Sequence, residues 1–166
     1  KLDNNQKLRA LVTAGPTQEY IDPVRFISNK SSGKQGYEIA NSLNENGFET
    51  TLISGPTNLN PASGINFIKV KSADEMLEEI LNNLPSDVAI FSAAVADFKV
   101  KSVESQKIKK NKIFELSLEK NIDILRHISN HNSLRPKLVI GFAAETSSLK
   151  KNAKKKLSEK NCDWII

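Results

Sequence analysis

Short apolar runs recur along this chain, and most are separated by a stretch with helical spacing, an alternation that very few fold classes can accommodate. Residues 8–13 (LRALVT) form a branched apolar run that stops at Ala14-Gly15-Pro16, a sharp break in backbone direction, and read as a first strand. Tyr37, Ile39, Ala40 and Leu43 then fall on one helical face within residues 32–46, with Gly47 as the stop. Residues 48–54 and 65–70 read as strands. Ser72 with Glu75 resembles a capping box opening the helix ADEMLEEILNNL. Residues 87–96 (DVAIFSAAVA) are apolar almost throughout, as expected of a central parallel strand covered on both faces. Residues 97–112 are polar, lysine-bearing and aperiodic, so they read as a long loop. A strand over 113–118, a short helix over 122–130, a strand over 137–143, a helix over 149–159 and a strand over 162–166 complete the alternation.

Such a chain is expected to form one α/β domain, a Rossmann-like three-layer fold with a doubly wound, mostly parallel sheet. Ligands then bind beyond the carboxyl ends of the strands. The domain is expected to span residues 8–166, with residues 1–7 a polar leader or linker remnant. No apolar run approaches the roughly 20 residues of a membrane span. No apolar core of a signal peptide follows the start, so the expected location is cytoplasmic, with no membrane partner. The single cysteine, Cys162, excludes an internal disulfide and a zinc cluster and reads as buried.

The net charge is +5, and Lys150, Lys151, Lys154, Lys155, Lys156 and Lys160 crowd one stretch, which suits anionic partners. Aromatic residues make up only 6% and do not interleave with the basic ones, so a nucleic-acid stacking platform is not expected and small phosphorylated ligands are. His127 and His131 are four residues apart, but no third ligand is evident, and they read as surface residues.

Two loops carry candidate chemistry. The stretch GPTQEYIDPVRFISNKSSGKQG, residues 15–36, joins the first strand to the first helix. Its Gly15, Ser31, Ser32, Gly33 and Lys34 offer donors and positive potential to a phosphate at a helix start. A solvated Ser/Gly helix cap has the same composition. The stretch is not a P-loop, because Gln35 follows Gly33-Lys34, and it is not GxGxxG, which disfavours a P-loop phosphotransferase and a simple dinucleotide-binding domain. The second loop holds Asp97 and, ten residues on, KIKK at 107–110. A carboxylate near lysines suits Mg²⁺ and a triphosphate, although clustered lysines also mark solvated faces.

Taken in order, GPTQEYIDPVRFISNKSSGKQG, SAAVADF, KIKK, EKNIDIL and GFAAET resemble the phosphopantothenate–cysteine ligase family, over roughly residues 8–166. The resemblance is to the ligase half of the bacterial bifunctional protein, and no decarboxylase half lies in this chain. It implies joining of 4'-phosphopantothenate to L-cysteine through an acyl-cytidylate, with CTP converted to CMP and pyrophosphate, in coenzyme A biosynthesis. It also implies Mg²⁺, a homodimer, and a fused or separate flavin-dependent decarboxylase.

By the same resemblance, Asn29 lies at the reacting acyl group and Lys107 stabilises charge during activation. Nucleotide contacts fall on Phe91, Ser92, Ala93, Asp97, Lys107, Ile122, Asp123, Ile124, Leu125, Phe142, Lys156 and Lys160, with Asp97 a possible metal ligand. Lys156 and Lys160 share one helical face. Where the family reads Asn-Pro-Asp-Ile, this chain has Asn121-Ile122-Asp123-Ile124, so a fixed φ is lost near the base-binding turn. ATP in place of CTP and a non-catalytic nucleotide-binding module remain open as alternatives. An oxidoreductase is disfavoured by the missing GxGxxG and Tyr-x-x-x-Lys patterns.

Overall fold

The computed structural model describes residues 6–109, 115–143 and 148–166. Its main sheet has six strands: β1 (Arg9–Ala14), β4 (Glu49–Ser54), β5 (Asn66–Lys69), β6 (Val88–Phe91), β9 (Leu138–Gly141) and β10 (Trp164–Ile165). Two short pairs stand apart, β2 (Gln18–Tyr20) with β3 (Phe26–Ser28), and β7 (Phe98–Val100) with β8 (Leu118–Lys120), both antiparallel. The helices are α1 (Lys34–Glu45), α2 (Ala73–Asn82), α3 (Ile124–Ser129) and α4 (Leu149–Lys160).

The six strands run parallel in the order β10-β9-β6-β1-β4-β5. Successive residues of a strand point to opposite faces, and the two cores follow that alternation. Leu11, Ile53, Ala89 and Val139 pack with Met76 and Ile80 of α2 and with Ile124 and Ile128 of α3. Val12, Leu52, Ile90 and Ile140 pack on the other side with Tyr37 and Ala40 of α1. Three layers result, the expected doubly wound architecture. Cys162 is buried, and burial pushes its thiol pKa up.

The helix boundaries have local causes. Ser72 Oγ accepts from the Glu75 amide at 3.1 Å, as the capping box requires, but Glu75 Oε2 reaches back to the Lys71 amide at 2.7 Å, one residue before the cap. Asp123 caps α3 by accepting from the Arg126 amide at 3.0 Å, so an aspartate defines the turn where proline is missing.

Several expectations are corrected here. Residues 15–36 contain the β2–β3 hairpin rather than one long loop, because Ile21 N–H donates to the Arg25 carbonyl at 2.8 Å and closes a turn. Residues 97–112 contain β7, and its partner is β8 at Leu118–Lys120. The strand expected over 113–118 falls partly outside the described residues, and of its described part, 115–118, only Leu118 is strand, the first residue of β8. Strand β6 ends at Phe91, short of residue 96, because the amide of Ala93 turns to Thr13 Oγ1 at 3.3 Å and that of Ala96 to Thr17 Oγ1 at 3.0 Å instead of extending the ladder.

The ends of β1 and β4 approach so closely that only glycine fits at position 55. A Cβ there would lie 1.7 Å from the Pro16 carbonyl oxygen, a backbone atom that cannot swing away. Gly55→Ala should therefore lower stability by about 2 kcal/mol or more, the scale of strained overpacking, as a fall in urea denaturation midpoint. An unchanged midpoint would show that the loop at Pro16 yields freely.

Candidate active site at the strand ends

Strand β1 has β4 on one side and β6 on the other, so the sheet's connections diverge at its carboxyl end, the place where open parallel sheets bind ligands. The segments leaving β1 and β6 are stitched together there. Ala94 N–H donates to the Gly15 carbonyl at 2.9 Å, Thr17 N–H to the Ala94 carbonyl at 3.3 Å, and Ser92 N–H to the Thr13 carbonyl at 3.2 Å. The side chain of Phe91 belongs to the core, so Phe91 offers backbone at this edge, followed by the half-buried Ser92 and Ala93.

The phosphate-loop candidates converge on the same edge. Gly15 has φ of 71° and Gly33, the cap of α1, has φ of 75°, both in the left-handed region. A Cβ on Gly33 would lie 2.8 Å from Thr57 Cγ2 and 3.2 Å from the backbone of Gly15, so three loops meet through these residues. Ser31 Oγ and Ser32 Oγ accept from the amides of Gly33 and Lys34 at 3.2 and 3.3 Å. The first turn of α1 holds no acidic residue, which leaves its positive end uncompensated beside the exposed Lys34.

Asn29 follows β3 and donates its side-chain amide to the Val95 carbonyl at 2.9 Å and to that of Ala94 at 3.5 Å. It thereby joins the loop before α1 to the loop after β6. Asp97 is exposed two residues beyond Val95, and its carbonyl accepts from Asn121 at 2.8 Å.

Lys107 is exposed, and the backbone next to it is gripped by the hairpin turn. Asp22, fully buried, accepts from the Ile108 amide at 3.1 Å, from Val24 at 2.8 Å and Arg25 at 2.9 Å, and from the Arg25 guanidinium. Arg25 in turn donates through Nη1 and Nη2 to the Ile108 carbonyl, each at 3.3 Å. Burial alone would raise the Asp22 pKa, but the amides of Val24, Ile108 and Arg25 and the Arg25 guanidinium lower it to about 2.

A second group gathers where α3 meets α4. Lys160 pairs with Asp123, and Lys156 donates to the Phe142 carbonyl at 2.6 Å, so the two lysines of one helical face bind the two segments that carry Asp123 and Phe142. Ile122, Leu125 and Phe142 are half-buried, packing on the edges of the two cores, whereas Ile124 is core. An open groove of about 1030 Å³ is lined by Ile122, Asp123, Arg126 and Asn130 among others, and no residue of the glycine loops lines it. His127 is exposed and His131 Nδ1 accepts from the Leu134 amide at 3.1 Å, in keeping with surface roles.

Asp22 and Arg25 are the residues the sequence reading passed over. The signal was present: Asp-Pro opens turns, and an Asx side chain commonly accepts from the amides two and three residues on. Its reach to Ile108, 86 residues away, has no local signature.

Comparison with known proteins matches residues 5–166 to a family described as the DNA/pantothenate metabolism flavoprotein C-terminal domain. The coenzyme A biosynthesis bifunctional protein CoaBC of Borreliella burgdorferi is 48% identical over 166 residues, covering 98% of this chain and 42% of the relative. This chain thus spans about two-fifths of the length of the curated relatives it matches. The crystal structure of a CoaBC C-terminal domain is 44% identical, with a TM-score of 0.84, covering 96% of this chain and 76% of that one. A Cab2 mutant in complex with phosphopantothenate-cysteine shares the fold at 18% identity, with a TM-score of 0.78, covering 96% of this chain and 71% of that one.

The depressed acidity of Asp22 has a defined pH signature. Its folded pKa lies below the ordinary 3.8, so its contribution to stability is full above about pH 4 and is lost as pH falls toward 2. In a carboxyl-carbon NMR titration Asp22 should show a midpoint near 2. A midpoint at 4 or above, the ordinary carboxylate range, would mean that its donors are not engaged.

Proposed function

The chain belongs to the DNA/pantothenate metabolism flavoprotein C-terminal domain family, and we propose that it is the ligase joining 4'-phosphopantothenate to L-cysteine. The observation that carries this reading is the union of two chemistry-bearing loops on one hairpin. Asn29 at the hairpin's end is bonded to the Val95 carbonyl, and the turn of the same hairpin holds the backbone beside Lys107. A carboxylate-activating enzyme needs such an arrangement, because an amide donor must meet the acyl oxygen while a cation meets the phosphorus under attack.

In the proposed reaction the phosphopantothenate carboxylate attacks the α-phosphorus of CTP, and pyrophosphate leaves. The cysteine amine then attacks the acyl carbon, CMP leaves, and the amine loses a proton to form the amide. Asn29 would hold the acyl oxygen through the side-chain N–H that now makes the longer bond to the Ala94 carbonyl, and Lys107 would offset charge on the phosphorus and departing pyrophosphate. Gly15, Ser31, Ser32, Gly33 and Lys34 would receive phosphate. Phe91, Ser92, Ala93, Asp97, Ile122, Asp123, Ile124, Leu125, Phe142, Lys156 and Lys160 would surround the nucleotide, with Lys156 and Lys160 exchanging their present partners for it. Mg²⁺ would travel with the triphosphate. Among the described residues no group of three or more His, Cys, Asp or Glu is placed to hold a metal ion, so the phosphates would supply most of its oxygens, with Asp97 as the protein's contribution.

A homodimer is proposed on the surface chemistry. Among the described residues, the exposed large apolar side chains away from the two ends of the chain are Val24, Phe26, Phe98, Val103, Leu116 and Leu118, all on the two hairpins or on the segment between β7 and β8. Such a concentration on a monomer marks an association surface. The bifunctional relatives further suggest a flavin-dependent decarboxylase as a fused or separate companion. No helix among the described residues is long and apolar enough to cross a membrane; a cytoplasmic setting is part of the proposal.

The decisive assay supplies 4'-phosphopantothenate, L-cysteine and Mg²⁺ with CTP or ATP, and quantifies pyrophosphate, nucleoside monophosphate and amide. CTP should yield all three, and Asn29→Ala or Lys107→Ala should lower turnover about 100-fold or more with the fold intact. Absence of pyrophosphate with both nucleotides, from folded protein, would sink the ligase reading in favour of a binding module. Phe26→Asp with Phe98→Asp should halve the mass seen by sedimentation, whereas an unchanged mass would remove the hairpins from the interface.

A further inference from the structure

We infer that Asp22 is a positioning residue for Lys107, acting through the backbone of Ile108, an assignment that rests on the ligase reading of Lys107. The geometry is specific. The Ile108 amide lies in the peptide plane it shares with the Lys107 carbonyl, and Asp22 binds that amide at 3.1 Å. The Ile108 carbonyl lies in the next plane, toward Lys109, and Arg25 binds it through two guanidinium nitrogens at 3.3 Å. Two consecutive peptide planes are therefore held, one by a carboxylate and one by a guanidinium, and those two groups are paired with each other. The first of these planes contains the Lys107 Cα, so the point from which its side chain leaves the backbone is held.

Stabilising the hairpin alone would not require this arrangement. The β2–β3 hairpin is already anchored by Gln18 N–H on the Lys71 carbonyl at 2.8 Å, by buried Glu19 accepting from the Ala73 amide at 3.0 Å, and by Ser28 Oγ on the Thr17 carbonyl at 2.7 Å. Nor is the turn short of partners, since Asp22 closes it through Val24 and Arg25. The bond to Ile108 is not needed to close either; it gives Asp22 Oδ2 a donor and gives the segment bearing Lys107 a fixed path. An ammonium stabilising charge at one phosphorus is sensitive to displacement, because misplacement by about 1 Å can cost roughly 100-fold in rate.

The test uses Asp22→Asn and, in case that variant folds poorly, Arg25→Lys, which keeps the charge but loses the two-pronged grip on Ile108. Limited trypsin digestion followed by mass spectrometry should show cleavage after Lys107 and Lys109 rising about tenfold in both variants, with cleavage after Lys120 unchanged. Pyrophosphate formation should fall about tenfold or more in kcat, with KM for 4'-phosphopantothenate within about threefold. Adding Asp22→Asn to Lys107→Ala should cause no further loss, since the two act through one group. Unchanged cleavage after Lys107 and Lys109, or losses that multiply in the double variant, would overturn the assignment. If wild-type protein forms no pyrophosphate, the ligase reading has failed, and the digestion still decides whether Asp22 holds the lysine segment.

Discussion

Where β1 and β6 leave the sheet, their connections run in opposite directions, and the backbone groups at both ends must find partners outside the ladder. They find them in each other. The amides of residues 92, 93, 94 and 96 turn to Thr13, Gly15 and Thr17, and the Thr17 amide answers to Ala94. This seam satisfies buried polar groups that would otherwise cost free energy. It also spreads β6's sequel across the mouth of the sheet, and the loops proposed to bind substrate and nucleotide all hang from it.

Above the seam, two antiparallel hairpins are tied down by buried carboxylates rather than by an apolar core of their own. Glu19 accepts from the Ala73 amide at the positive end of α2, and Asp22 accepts from Ile108. A buried carboxylate is tolerable only when its oxygens are met by donors, and each of these draws at least one donor from a distant part of the chain. Placement of Asn29 and of the backbone beside Lys107 thus comes from polar bonding across sequence-distant loops, while the apolar cores hold the layers that support them.

Much of this was legible in advance. The strands expected at residues 8–13, 48–54 and 137–143 are found as β1, β4 and β9, and Ser72 is the helix cap that its spacing to Glu75 implied. The glycine loop after β1 stood out because Gly-Pro breaks direction where a parallel strand must end. What escaped notice was short and polar. Strands β2, β3, β7 and β8 have three residues each, too few for periodicity to show, and their pairing rests on turns and tertiary contacts.

The amino-acid sequence by itself determined the layered α/β class, because the alternation of apolar runs with amphipathic helices has few other ways to bury its faces. It also determined which residue types lie at the strand ends, since glycine, proline and capping residues mark where each strand stops. Only the tertiary structure decided which loops meet. Asp22 reaching Ile108, Asn29 reaching Val95 and Lys160 reaching Asp123 are hydrogen bonds between groups far apart in the chain. Their partners depend on strand order, which no local pattern encodes.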